Sequence, residues 1–171
     1  MRARIAGELL PRMAAAFRIE EKHLSVAEMF IAKYEHGPGK QSHLEAHQDG
    51  TPFSFVITLN QPDEAFSGGG TRFVNEDDGR GMVYRPRGVG SAITFCGRKL
   101  HEGVAITRGV RYILTGFCEH NNEDGSHNAF MSNYDQRWDG KQFILYIISI
   151  IIYLKDLPER VVFELEMCCE G

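Results

Sequence analysis

With 171 residues, 43 % of them hydrophobic and 25 % charged, the chain has the size and composition of one globular domain, which excludes fibrous and intrinsically disordered classes. A formal net charge of -4 gives no bulk attraction to nucleic acid or anionic membranes, although Lys and Arg gather between Arg80 and Arg111. Four cysteines (Cys96, Cys118, Cys168 and Cys169) show no CxxC spacing, so neither a zinc site nor a disulfide framework is expected. Cys96 and Cys118 read as space-filling strand residues. A reducing compartment is the simpler expectation, and the opening MRARIAGELLPRM lacks the sustained apolar stretch of a signal peptide, so an intracellular location is favoured.

Along the chain, residues 1 to about 24 read as helical, because Ile5, Leu9, Met13 and Phe17 recur every fourth position on one face. Pro11 either interrupts this helix or marks the first turn of a shorter one. Ser25-Val-Ala-Glu28 has the form of a capping box, yet Phe30, Ala32 and Tyr34 alternate with more polar neighbours. The run ends in Gly37-Pro38-Gly39, which favours a strand closing in a turn.

From residue 44 the pattern is β. Phe53, Phe55, Ile57 and Leu59 alternate with Ser54, Val56, Thr58 and Asn60, a period of two. Gly68-Gly69-Gly70 precedes a short apolar piece at Phe73-Val74, and a polar turn spans Asn75 to Gly81. Residues 90–95 and 110–117 read as two further strands, with His101 on the connection between them. Many short strands with Gly-rich turns imply a sandwich or barrel. The uncharged, isoleucine-rich run from Phe143 to Leu154 is shorter than the ~17 residues a membrane helix needs, and suits a buried strand, a helix or an interfacial segment.

The chemistry-bearing pattern is His47-Gln48-Asp49 with the distant His101. On a strand, positions i and i+2 share a face, so the imidazole and carboxylate can reach one metal. Two neutral imidazoles and one carboxylate on one face of an octahedral ion leave three positions open, the arrangement of non-haem iron(II) oxygenases. An HxD tripeptide alone is weak, since the chain carries seven histidines and His43 stands four positions before His47. Arg111 adds independent support. It shares a strand face with Ile113, Thr115 and Phe117, and a buried guanidinium there needs an anion such as a metal-bound dicarboxylate. The opposite face, Tyr112, Leu114 and Cys118, is nearly as apolar, so the pattern leaves the inward face open.

Taken in order, LEAHQDG, FSFVITLN, FSGGGTRF, GSAITF and LHEGVAITRGVRYILTGF resemble the prolyl 4-hydroxylase-like and lysyl-hydroxylase-like 2-oxoglutarate dioxygenases. The resemblance covers about residues 28 to 119. It implies a mainly β fold with flanking helices, a double-stranded β-helix or jelly roll of roughly eight strands. It also implies His47, Asp49 and His101 as iron ligands, with Arg111 on the distal carboxylate of 2-oxoglutarate. Thr58 and Tyr34 are implied as secondary contacts to the same co-substrate. Fe(II), 2-oxoglutarate and O2 are the implied cofactors, with ascorbate as an accessory. The phrase ITRGVRYI looks closer to the lysyl-hydroxylase side, and the implied reaction is C–H hydroxylation of a prolyl or lysyl side chain in a peptide or protein. The expected division is helical support over 1–27, jelly-roll core over 28–119 and an extension of uncertain structure over 120–171.

Rival readings are a dioxygenase acting on a small molecule, a catalytically silent jelly roll that binds metal or protein, and a zinc or manganese cupin-like enzyme. A nucleic-acid demethylase is disfavoured by Glu76-Asp77-Asp78 and the negative total, and no clear membrane span is expected.

Overall fold

The computed structural model describes residues 2–74 and 80–121. The chain opens with α1 (Arg2–Arg4), a π-helical turn (Ile5–Leu9) and α2 (Leu10–Phe17). Proline in the first turn of α2 explains the π register. Pro11 has no N–H to donate backward, and the Leu10 N–H reaches Ile5 O instead. The expected stripe is buried in full: Ile5, Leu9, Met13 and Phe17 all face the core. The helix stops at Phe17 rather than near residue 24, because Arg18 takes a left-handed conformation (φ 55°) that ends it. A 3-10 turn (Glu21–His23) then leads into the sheet.

Among the described residues nine strands follow: β1 (Leu24–Glu35), β2 (Leu44–His47), β3 (Phe53–Thr58), β4 (Phe66–Gly68), β5 (Thr71–Val74), β6 (Gly81–Tyr84), β7 (Ala92–Cys96), β8 (His101–Gly103) and β9 (Ile106–His120). Residues 24–35 thus form a strand, as the Phe30/Ala32/Tyr34 alternation indicated. The major sheet runs β1-β9-β3-β7, with β4 paired to the start of β9, and the minor sheet runs β2-β8-β5-β6. All pairings between named strands are antiparallel. These two sheets with their helical layer make the expected mainly β jelly-roll architecture.

The helix lies against the outer face of the major sheet, and burial follows from that. Phe53, Phe55, Ile57, Leu114 and Cys118 pack with Ile5, Leu9, Met13 and Phe17, and the Phe17 and Phe53 rings lie 4.4 Å apart. The inner face turns Val56, Ile93, Phe95 and Ile113 toward Phe66, Phe73 and Ile106 in a second cluster. Every residue of β3 is therefore buried, Ser54 and Thr58 included. Cys118 fills space as expected, and its burial pushes the thiol up to about 12.

Within the major sheet, β9 passes closest to its neighbour β3 at Gly116, where an added Cβ would overlap the ring of the directly paired Phe55. Gly116→Ala is expected to cost about 1–3 kcal/mol through overpacking. A urea-denaturation midpoint equal to that of the parent chain would show that the strands separate freely.

His101 departs from expectation. It lies on a strand of its own, β8, bonded to β2 on one side and β5 on the other. Three residues are too few to display a period of two, so this strand leaves no mark in the hydrophobic pattern. Most of the polar turn after Val74, the Phe143–Leu154 run and the Cys168-Cys169 pair lie outside the described residues. Among the described residues, no helix is long and apolar enough to cross a membrane.

Candidate functional site

Strand pairing brings two of the three candidate ligands together. His47 ends β2 directly opposite His101, the first residue of β8, and their rings lie 4.4 Å apart. Asp49 is not on the strand, contrary to the i, i+2 expectation, because β2 ends at His47. Its aim comes instead from the turn: the Asp49 N–H donates to Gly97 O at 2.7 Å, and Gly97 N–H donates to Pro52 O. The ligand-capable atoms of His47, Asp49 and His101 all lie within 4.8 Å of one another. No other group of three such residues forms among the described residues. His43 stands apart, exposed and bonded to Glu45.

Hydrogen bonds set the chemistry of both imidazoles. His47 Nδ1 sits 2.7 Å from Glu45 O, and His101 Nδ1 sits 2.7 Å from Lys99 O. A carbonyl can only accept, so each Nδ1 carries the proton and each Nε2 presents a lone pair. Those lone pairs face the Asp49 carboxylate at 3.5 and 3.7 Å, too long for direct hydrogen bonds and suited to an intervening cation. Burial lowers the pKa of His101 against the opposing Lys99 carbonyl and Asp49 carboxylate, and the net lowering favours the neutral ring that can ligate. The donor set of two neutral imidazoles and a carboxylate fits a divalent iron with open positions.

Ser54 is a contributor that the sequence reading passed over. From β3 its hydroxyl donates to Asp49 Oδ2, fixing one carboxylate oxygen. A signal was present, since Ser54 is a hydroxyl between two phenylalanines in an otherwise apolar strand. Periodicity classed it as ordinary alternation. Outer partners of this kind typically contribute 10- to 100-fold in metal affinity. Ser54→Ala is therefore expected to weaken Mn(II) binding by about that factor without unfolding the chain, as calorimetry would read. Affinity within twofold of the parent would remove Ser54 from the site.

Arg111 points inward. It is 2 % exposed, among the most buried large side chains of the described residues. Its Nη1 donates to Gly70 O at 3.1 Å, while Nε is buried with no partner. The guanidinium lies 5.5 Å from the Tyr34 ring centroid and 6.0 Å from that of Phe66. No carboxylate among the described residues pairs with it. A buried cation held by one carbonyl and two aromatic faces remains short of an anion, and its planar fork suits a carboxylate. The glycine run supports this placement. Gly68, Gly69 and Gly70 all have positive φ, and a Cβ on Gly69 would sit 3.3 Å from Arg111 Cδ.

The pocket that holds His47, Asp49, His101 and Arg111 is lined also by Tyr34, Val56, Phe95 and Ile113. Tyr34 is buried there, and burial raises its phenol above the ordinary value. Thr58 is buried on the same inner face as Ser54 and Val56 but does not line this pocket.

The family model of the 2OG-Fe(II) oxygenase superfamily matches residues 29–119. A multifunctional procollagen lysine hydroxylase and glycosyltransferase from Caenorhabditis elegans is 37% identical over 91 residues, covering 52% of this chain and 12% of the relative. The human procollagen-lysine,2-oxoglutarate 5-dioxygenase 2 is 35% identical over 92 residues, covering 53% and 12% respectively. The chain therefore spans about an eighth of the length of these relatives. In fold it is similar to an oxidoreductase of the 2OG-Fe(II) oxygenase family from Burkholderia pseudomallei. That likeness has a TM-score of 0.56 at 21% identity, over 72% of this chain and 55% of the other. With more than half of its residues inside the matched span, the chain belongs to the 2OG-Fe(II) oxygenase superfamily.

Proposed function

We propose that this domain hydroxylates a C–H bond on a lysyl or prolyl side chain of a peptide or protein, with His47, Asp49 and His101 as the iron ligands and Arg111 as the anchor of 2-oxoglutarate. One observation carries the assignment: a pre-assembled His/Asp/His trio shares a pocket with a buried arginine that lacks a carboxylate partner. A cupin-like metalloenzyme has no need of such a dicarboxylate anchor. The named substrates of the lysine-hydroxylating relatives support a protein side chain over a small molecule.

Once bound, iron and 2-oxoglutarate supply an oxidation in which one oxygen atom of O2 enters succinate as CO2 leaves and the other enters the substrate C–H bond. The protein's own part is orientation and exclusion of water. The Glu45 and Lys99 carbonyls hold the two rings with Nε2 facing the metal position, and Ser54 keeps Asp49 turned toward it. Arg111 grips the far carboxylate, and Tyr34 stacks beneath its guanidinium as a secondary contact. Thr58, away from the lining, is assigned to packing. Val56, Phe95 and Ile113 give the pocket an apolar wall that shields the reacting groups from water. The catalytic core is taken as residues 28–119, with residues 1–27 as support.

Anaerobic titration of the purified chain with Fe(II) and 2-oxoglutarate tests the reading. The expected result is a visible charge-transfer band that saturates with 2-oxoglutarate, followed by succinate on admission of air. A folded, metal-loaded chain that shows neither would overturn it.

A further inference from the structure

The inner face of the major sheet is a ladder of cross-strand rows, and directly opposed residues point the same way. Tyr34 faces Arg111, Phe30 faces Thr115 beside Val56, and Glu28 faces Phe117 beside Ser54. Arg111 marks one end of this ladder. Ser54, which holds Asp49, marks the other. The Ser54 end carries two aromatic rings, Phe30 and Phe117, with centroids 5.8 Å apart. Both line the pocket, and Phe30 is 44% exposed. An exposed aromatic ring at the mouth of a reaction pocket is poorly explained by packing and well explained by a ligand.

A register shift between Val26 and Glu28 aims these residues. Val26 pairs with Cys118, whose side chain lies under the helix, whereas Glu28 pairs with Phe117. Continued without the bulge, the register would set Phe30 opposite Leu114, which packs under the helix, and Tyr34 would leave Arg111. A bulge beside an active site commonly re-aims side chains in this way. Its effect here is to set an exposed carboxylate, Glu28, opposite Phe117 on the same sheet face, beside the aromatic pair and just outside the pocket lining. Among the described residues Glu28 has no ion-pair partner.

Resting on the proposed function, we infer that Phe30, Phe117 and Glu28 are specificity-determining residues that seat a lysyl side chain of a peptide substrate. The rings take the aliphatic stem, and the carboxylate, aided by the ring faces, takes the ammonium. A prolyl ring carries no side-chain charge and would leave Glu28 without a role.

The test uses the full chain loaded anaerobically with Mn(II) and 2-oxoglutarate. Blocked peptides with a central lysine, norleucine or proline are titrated by calorimetry. The parent chain is expected to bind the lysyl peptide most tightly. Glu28→Gln should weaken the lysyl peptide about tenfold and leave the norleucyl peptide unchanged. Phe30→Ser and Phe117→Ala should weaken both at least tenfold, with affinity for 2-oxoglutarate retained. Phe30 is exposed, so its variant remains informative even if Phe117→Ala folds poorly. Equal losses for lysine and norleucine in Glu28→Gln, preference for proline, or no lysyl binding by a parent chain that forms succinate would each overturn the seat. A dimer dissolved by Phe30→Ser with peptide affinity intact would assign the rings to contact between copies instead. Absence of both 2-oxoglutarate binding and succinate in the parent chain would instead reject the underlying dioxygenase assignment.

Discussion

Asp49→Ala is expected to abolish functional metal binding, with Mn(II) affinity falling by more than the roughly 10- to 100-fold that loss of an outer partner costs. The carboxylate is the only charged donor among the three ligand-capable residues, and its side chain is almost wholly buried between two imidazoles. Without it, two neutral nitrogens remain to bind a hard divalent ion that prefers oxygen donors. Asp49→Asn separates charge from shape, since the amide keeps an oxygen near the metal position and a partner near Ser54. It should fall between the parent and alanine. The fold should survive both changes, because Asp49 lies on a turn outside the two hydrophobic clusters. Calorimetric metal titration beside circular dichroism checks the expectation. A folded Asp49→Ala chain that binds metal within threefold of the parent would remove Asp49 from the site.

Arg111→Met is expected to produce two effects of opposite sign. Truncating one partner of a buried, hydrogen-bonded charge pair costs about 2–5 kcal/mol, so affinity for 2-oxoglutarate should fall by a factor of roughly 30 to several thousand. Metal affinity should be retained, because Arg111 contacts none of the three ligands. The ligand-free fold should be equally stable or more stable. Its guanidinium is almost fully buried, holds one carbonyl, leaves Nε unpaired and faces no carboxylate, so an apolar side chain of similar volume relieves desolvation. Arg111→Lys keeps the charge and loses the fork, and should restore only part of the binding. Thermal unfolding with and without Mn(II) and 2-oxoglutarate reads both signs at once. The co-substrate should raise the parent's Tm and leave the variant's unmoved. A Tm rise of equal size in both chains would defeat the anchor assignment.

How far the sequence reached differs from residue to residue. The stripe Ile5, Leu9, Met13 and Phe17 was legible because a helix on a sheet buries every fourth position. The β3 alternation was legible for the same kind of reason, with its two faces sorted into two clusters. His101 was legible as a candidate ligand through its place in the ordered motifs, yet its strand was not, because β8 has only three residues. Asp49 was found for a reason that proved incomplete. The two-residue spacing put it near His47, but a turn and the Ser54 hydroxyl give it its direction. Glu28 and Phe30 depend on a bulge, and a bulge has no periodic signature when its extra residue is an unremarkable alanine.

By itself the sequence determined the composition of this protein's candidate site and the order in which its pieces arrive. Local chemistry and period are written in residue types, so two imidazoles, a carboxylate and an arginine on an apolar strand could be recognised before any fold. The tertiary structure decided which way β9 faces. Tyr112, Leu114 and Cys118 were nearly as apolar as Ile113 and Phe117, and the structure supplies the cause. The strand is covered on one side by the N-terminal helix and on the other by the pocket. A strand buried on both faces carries a period but no sign. Only the third layer, packed from residues a hundred positions earlier in the chain, turned Arg111 inward.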